Sequence, residues 1–318
     1  MVHDVIIIGS GPAGYTAAIY VGRAELDMLL IEGSEVSGQL VKAPLVENFP
    51  GFPEGIAGVE LMERLRSQAK KFGAKFFDGE VARVEFGDFR NPEDPRNPIV
   101  HKIFVKEKIL ETRALIIASG SRSKMLGVAG EKEYLGRGVS TCATCDAPFF
   151  KNKKVIVVGG GDSAGVEALF ISKFAKSVTI VCRKDRAGLK MSNRLQEQVS
   201  ANPKIDYLWN AEVIEIIGND SKMSGVKIEN TQTGEASEIM ADGMFLAIGH
   251  IPNTDFLPKE ILNKRGYVKT HDLVMTDIAG VFAAGDAGDN YRWWQAITAA
   301  GSGAAAALEA ERFLKHGN

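Results

Sequence analysis

Cys142 and Cys145, in the segment CATCD (142–146), are separated by two residues. That spacing puts the sulfurs within disulfide reach and can lower a thiol pKa, which favours redox work. Zinc is a competing reading, but a structural zinc site wants four ligands, usually from two pairs. Only Cys182 remains, and the five histidines (His3, His101, His250, His271 and His316) show no paired spacing. An inert buried pair is the third reading. Asp146 follows at once and is placed to give or take a proton for a thiolate. The same residue could instead be a helix N-cap, or do both. Cys182 reads as a small packing residue at a strand end.

A second chemistry is written in glycines. Gly9-Ser10-Gly11-Pro12-Ala13-Gly14 matches the dinucleotide turn G-x-G-x-x-G, directly after an apolar run and before a helical pattern. Gly9 allows the tight turn, Gly11 lets the backbone approach a pyrophosphate, and Gly14 lets helix and strand pack closely. The pyrophosphate belongs on the helix N-terminus, where free N–H groups and the helix dipole favour negative charge. Glu32 ends the next apolar run, 23 residues after Gly9, where a carboxylate accepts ribose hydroxyls and repels a 2′-phosphate. Gly159-Gly160-Gly161-Asp162-Ser163-Ala164 repeats the turn 150 residues later. At the same offset Cys182 replaces Glu32, and Arg183 and Lys184 follow. Loss of the carboxylate and gain of two cations suit a 2′-phosphate, so this site is expected to prefer NADPH to NADH. A solvated basic pair is the plainer reading of the same two residues.

These groups need strands and helices to hold them. Val5–Ile8 reads as a buried parallel strand, and DMLLIEG (27–33) as the next one. KKVIVVGGGDSAGVEALFISKFA (153–175) is strand, turn and helix again, followed by the strand SVTIVCRK (177–184). Between the two turns, VARVEF (81–86), IVHKIFVKE (99–107) and ALIIASG (114–120) read as strands. NPEDPRNP (91–98) reads as an exposed hairpin loop with no function of its own. EVIEII (212–217), GVKIEN (225–230) and MFLAIG (244–249) form a second strand-rich stretch. In GVFAAGDAGDNYRWWQAITAAGSG (280–303), a short strand ends at Gly285-Asp286 and an Ala-rich helix follows. The C-terminus is therefore expected to complete the first nucleotide-binding half. The fold class is α/β, with residues 1–116 and 249–318 as one discontinuous domain and 117–248 inserted as the other.

Composition agrees with that reading. The chain has 318 residues, 45% hydrophobic and 25% charged, which suits about two globular domains. Lys plus Arg is 38 and Asp plus Glu is 40, so nothing marks a chain built to bind a nucleic-acid backbone. Disorder and collagen-like repeats are excluded by the same balance. The first residues lack the basic n-region of a signal peptide. AITAAGSGAAAALEA (296–310) is too short and too broken to span a membrane. A cytoplasmic protein is the expectation.

With these features in place, the sequence resembles the low-molecular-weight thioredoxin reductases along nearly its whole length. The resemblance rests on GSGPAG (9–14), SGQL (37–40), ENFPGF (47–52), CATCD (142–146), GGGDSA (159–164), GHIPNT (249–254), GDAGD (285–289) and QAITAAGSG (295–303). It implies two Rossmann-like, three-layer ββα domains, an NADPH domain inserted into an FAD domain, and a homodimer. It implies FAD contacts at Gly9 to Gly14, Glu32, Gly33, Gly38, Gln39, Leu40, Asn48, Val81, Ser119, Gly120, Gly285, Asp286, Gln295, Ala296 and Ile297. NADPH contacts are implied at Gly159, Gly161, Asp162, Ser163, Ala164, Arg183, Lys184 and Gly249. Cys145 would face the flavin, Cys142 would attack thioredoxin, and Asp146 would protonate the leaving thiolate.

The chain departs from the family pattern at three places. Gly188 stands where a further Arg is usual, with Arg186 and Lys190 nearby. YRWWQA (291–296) displaces Arg292 and adds Trp293 and Trp294, which either stack on the flavin or a partner or pack internally. Ser37 replaces a Gly. The resemblance also implies a large rotation of the NADPH domain, hinged near 116–120 and 245–250 with Gly120, Gly243 and Gly249. Competing functions are a flavoprotein fed by ferredoxin, a peroxiredoxin-system reductase, a dithiol oxidase, or a non-catalytic redox sensor.

Overall fold

The computed structural model describes residues 1–87, 99–290 and 293–316. The proline-rich segment 91–98 and the pair Tyr291 and Arg292 therefore lie outside the described residues. Two compact units divide the chain: Met1–Arg122 with Ile251–Asn318, and Ser123–His250. The crossings fall six and two residues beyond the boundaries at 116 and 248 read from the sequence.

The first unit begins with β1 (Val2–Ile8), α1 (Pro12–Arg23), β2 (Met28–Ile31), α2 (Gly58–Lys71), β3 (Lys75–Phe77), β4 (Val81–Glu85), β5 (His101–Val105), β6 (Lys108–Ile117) and β7 (Ser121–Ser123). The second holds α3 (Glu131–Tyr134), β8 (Val139–Ser140), α4 (Ala143–Asp146), β9 (Lys154–Val158), α5 (Asp162–Ile171), β10 (Ser177–Val181), α6 (Asn193–Ser200) and β11 (Ile205–Leu208). It ends with β12 (Ala211–Gly218), β13 (Met223–Asn230), β14 (Ala236–Met240) and β15 (Gly243–Leu246). The chain returns through β16 (His250–Pro252) to β17 (Val281–Ala283) and α7 (Ala296–His316).

In the first unit the strand order is β3-β2-β1-β6-β5-β4, and β17 also pairs with β6. β6 is long because it serves two neighbours on one side. Residues 108–112 pair antiparallel with β5, and Leu115–Ile117 pair parallel with β17. β1 is apolar without alternation because both of its faces are buried. Val5 and Ile7 join a core with α1 and α7, while Ile6 and Ile8 join a core with Val84, Ile103 and Val105. Each such side chain contributes about 1.5–3 kcal/mol by burial, so neither face tolerates a polar residue.

The second unit repeats the plan. Its parallel sheet runs β11-β10-β9-β15-β8, and an antiparallel sheet β12-β13-β14 is separate from it. Val155 and Val157 face the core shared with α5, and Ile156 and Val158 face the core shared with β12 and β13. The two units match in register at the offset of 150. Ile8 pairs with Ile31 as Val158 pairs with Val181. Gly9 N–H donates to Ile31 at 2.9 Å, and Gly159 N–H to Val181 at 3.1 Å.

The two crossings run side by side as a short ribbon of β7 and β16. Gly120 (φ +68°) and Gly249 (φ +99°) flank it in backbone conformations that favour glycine. Gly243 is the third glycine expected at the hinge. It lies inside β15, and a Cβ there would come within 2.1 Å of the Phe150 ring. Its role is close packing. Among the described residues no helix is long and apolar enough to cross a membrane.

Candidate active site

Cys142 and Cys145 are joined as a disulfide with Cα atoms 5.3 Å apart. Cys142 caps the single turn α4 and Cys145 lies within it, so the short spacing is met by one helical turn. Cys142 itself is the N-cap: its sulfur accepts the Cys145 N–H at 3.2 Å. Asp146 stands at the N-cap position of the 3-10 turn Ala147–Phe150, but its side chain makes no capping hydrogen bond there. Its carboxylate instead accepts from the Ser140 hydroxyl at 2.6 Å. The same Ser140 oxygen accepts the Cys142 N–H at 3.0 Å. Burial pushes the Asp146 carboxyl above its ordinary value, and the Ser140 hydrogen bond opposes that rise. The site thus holds a disulfide and a carboxylic acid that keeps its proton to higher pH than usual, both anchored on one serine.

α4 stands beside α5, whose start is the second glycine turn. Gly159 takes φ +148°, and a Cβ there would lie 2.5 Å from the Ala247 carbonyl. No side chain caps α5 at Gly161, which leaves its first N–H groups to an anion. Asp162 turns away from the turn and accepts the Ser192 N–H at 2.7 Å, while Ser163 is exposed. Ala164 is buried and fits under Gly159. Arg183 and Lys184 follow β10 and are exposed. Lys190 is brought to the turn by its own backbone, which donates to Gly160 at 2.8 Å. Gly188 has a packing reason: the stem of Lys184 lies against it, and a Cβ there would meet Lys184 carbons at 2.6 Å. Cys182 is buried, its thiol donates to the Gly159 carbonyl at 3.4 Å, and burial pushes the thiol up to about 11. It is the packing residue expected.

Sequence reasoning missed Glu167 on α5. One of its carboxylate oxygens is buried without a hydrogen-bond partner, and burial pushes the group up to about 7. A charged residue inside an apolar helical pattern was the available signal.

The first glycine turn uses the same geometry. Gly9 takes φ +111°, with the space of a Cβ filled by the Ala118 carbonyl at 2.3 Å. A Cβ on Gly14 would lie 1.9 Å from the Gly9 carbonyl. Pro12 opens α1, no side chain caps it at Gly11, and Ala13 is buried beneath α7. The Ser10 hydroxyl donates to the Glu32 carbonyl at 2.9 Å and accepts the Ser37 N–H at 2.9 Å. Glu32 is buried and bound: Tyr15 donates at 2.9 Å, and Arg66 donates twice, at 2.7 and 2.9 Å. Burial raises the Glu32 carboxyl, but hydrogen bonds from Arg66 and Tyr15 and the charge of Arg66 outweigh it and hold the group below its ordinary range. Neither Tyr15 nor Arg66 was legible as a partner of Glu32.

The other expected contacts gather from several loops of this unit. Gly33 (φ +75°) follows Glu32, and Gly38 (φ +67°) approaches Gly11 and caps the turn Gln39–Lys42 that contains Leu40. Asn48 donates to Gln295 across 247 residues at 3.0 Å. Val81 opens β4. Ser119 has a buried hydroxyl without a hydrogen-bond partner, next to Gly120. Gly285 N–H is held by Ser302 at 2.8 Å, and burial pushes the Asp286 carboxyl up to about 7. Ala296 and Ile297 begin α7, with Ile297 exposed. Trp293 is 67% exposed and Trp294 37%.

The model of the pyridine nucleotide-disulphide oxidoreductase family matches residues 3–304. The thioredoxin reductase of Mycolicibacterium smegmatis is 48% identical, over 98% of this chain and 97% of that protein. That of Chlamydia pneumoniae is 46% identical, over 99% and 100%. The crystal structure of thioredoxin reductase from Streptococcus pyogenes superposes with a TM-score of 0.90 at 38% identity, covering 99% of this chain and 98% of that one. A flavin and a pyridine nucleotide are the cofactors such enzymes use. With a bonded Cys142–Cys145 pair and two matched dinucleotide turns, the chain belongs to the pyridine nucleotide-disulphide oxidoreductase family and, within it, to the thioredoxin reductases.

Proposed function

We propose that the chain is an NADPH-dependent thioredoxin-disulfide reductase, with FAD in the first unit and NADPH in the second. The observation that carries this reading is the bonded Cys142–Cys145 pair placed beside a dinucleotide turn that lacks a ribose carboxylate. The residues present fit both nucleotides. The first turn offers uncapped N–H groups, a buried carboxylate at the ribose position and the orphaned Ser119 hydroxyl. The second offers uncapped N–H groups, a backbone bond that ties Lys190 to Gly160, and the exposed cations Arg183 and Lys184 just after β10. A flavin held there would supply the electron pair that opens the disulfide, and a nicotinamide held by the second turn would be its source of hydride.

The chain's own residues do the rest. Reduction with two protons opens the Cys142–Cys145 bond to two thiols. The Cys142 thiolate attacks the thioredoxin disulfide, forming a mixed disulfide and releasing a partner thiolate. Asp146 gives that thiolate its proton. Cys145 then attacks Cys142, restoring the internal disulfide and releasing reduced thioredoxin. A cytoplasmic homodimer that binds neither nucleic acid nor membrane is the assembly we expect. The test is anaerobic mixing of the flavin-loaded protein with NADPH and with NADH while the visible flavin band is followed. The reading expects bleaching at far lower NADPH than NADH. Equal response to both nucleotides, or none to either, contradicts it and points to another donor.

A further inference from the structure

Glu32 is placed to take a ribose hydroxyl, yet most of its capacity is already used. A carboxylate has about four acceptor positions. Tyr15 Oη and Arg66 Nε occupy two on Oε1, and Arg66 Nη2 occupies one on Oε2. One position on Oε2 is left, enough for a single ribose hydroxyl. The Arg66 contact is bidentate, the geometry that fixes both the plane and the direction of a carboxylate. Arg66 comes from α2, 34 residues away, and lies 4.2 Å over the Phe76 ring, which limits its own motion. Tyr15 is fully buried, stands edge-on to the same ring, and meets Ser37 at 3.2 Å. Ser10 joins Ser37 and the Glu32 backbone to the group.

The second turn supplies a comparison within the same chain. At the offset of 150, Tyr15 becomes Gly165, which packs under Leu195 and Met191, and Glu32 becomes Cys182. The acceptor and its tyrosine are absent together where a 2′-phosphate is expected. They occur together only where a free ribose is expected.

We propose that Arg66 is a positioning residue for the flavin nucleotide: it aims Glu32 at the adenosine ribose and keeps the carboxylate charged, without touching the nucleotide itself. This rests on the reading of Glu32 as the ribose acceptor. Glu32 is buried, so without Arg66 its burial is opposed by Tyr15 alone, and its carboxyl protonates at higher pH. A protonated carboxyl accepts more weakly. Flavin affinity then falls more steeply toward low pH than in the native protein, where Asp286, pushed up by burial to about 7, is the other carboxyl expected at the flavin nucleotide. Among the described residues, the side chains hydrogen-bonded to Glu32 besides Arg66 are Tyr15, on α1, and Ser10, at its carbonyl, while its N–H donates to the Phe77 carbonyl. Arg64 of α2 is engaged with Glu60.

The test is FAD binding to flavin-stripped protein, read by quenching of FAD fluorescence between pH 5.5 and 8, with apoprotein melting temperatures alongside. Four proteins are compared: wild type, Arg66→Met, Arg66→Lys and Glu32→Gln. The expected result is a loss of about tenfold or more for Arg66→Met, growing toward low pH, with Arg66→Lys between it and wild type. Glu32→Gln weakens binding without steepening the wild-type pH profile. Native affinity and the wild-type pH profile in Arg66→Met, with Glu32→Gln weakened, overturns the inference and leaves the reading of Glu32 intact. Native affinity in Glu32→Gln overturns that reading itself. If Arg66→Met does not fold, Arg66→Lys decides: it retains charge but not the paired contact, and a wild-type profile in it overturns the inference.

Discussion

Ser140 touches both halves of the redox chemistry, donating to Asp146 and accepting from the Cys142 backbone. The sign of its effect on Asp146 is fixed: its hydrogen bond to the ionised form lowers a carboxyl that burial has raised. An acid must be protonated to act, so turnover with thioredoxin falls as pH rises through the Asp146 pKa. Ser140→Ala is expected to move that alkaline limb to higher pH, and Asp146→Asn to abolish it with about a 10²-fold loss of rate. A pH profile of kcat/KM checks both, and an unmoved limb in Ser140→Ala counts against the role. Gly188→Arg is expected not to lower the KM for NADPH, because the new side chain must displace the Lys184 stem now packed there. A tenfold fall in KM would show instead that the missing cation limits affinity. The cysteine pair, both glycine turns, Glu32 and the Arg183–Lys184 pair were legible because their spacing is local. Arg66 and Ser140 were not, since each reaches its partner only in the fold, and the pairing of Lys190, already noted near Gly188, with Gly160 was equally hidden.

At the scale of elements, the strands that carry the two turns were legible because burial on both faces leaves a continuous apolar run. β3 and β11 were not, being short and mixed in burial, although they fix the backbone after Glu32 and Cys182 through Phe77 and Leu208. α2 and α6 were also unread: their mean polarity hides a narrow apolar stripe, of which Leu195 and Val199 on α6 are buried. Gly243 shows how a glycine can mislead. In sequence it sits beside a crossing and suggests a hinge, whereas in the fold it makes room for Phe150 next to Phe245. Gly243→Val should destabilise the second unit by about 1–3 kcal/mol, as overpacking a core does. Thermal unfolding checks this, and an unchanged melting temperature would mean that Phe150 moves aside freely.

For the whole molecule, the repeat at 150 residues announced two similar units, and the late GDAGD segment announced that the first is completed by the C-terminus. The crossings were placed from the sequence only to within six and two residues. The crossings follow from backbone pairing: Asn253 donates to Gly120 on one side of the ribbon and Lys124 to Gly249 on the other. If catalysis needs the units to rotate, an engineered disulfide locking them should leave the flavin spectrum intact and abolish thioredoxin turnover; retained turnover would remove rotation from the mechanism. The central claim, that electrons from NADPH reach thioredoxin through Cys142 and Cys145, is tested most directly by NADPH-driven thioredoxin reduction in wild type, Cys142→Ser and Cys145→Ser. The account predicts turnover only in the wild type, with NADPH still bleaching the flavin in both variants. Sustained thioredoxin reduction by either variant would contradict it.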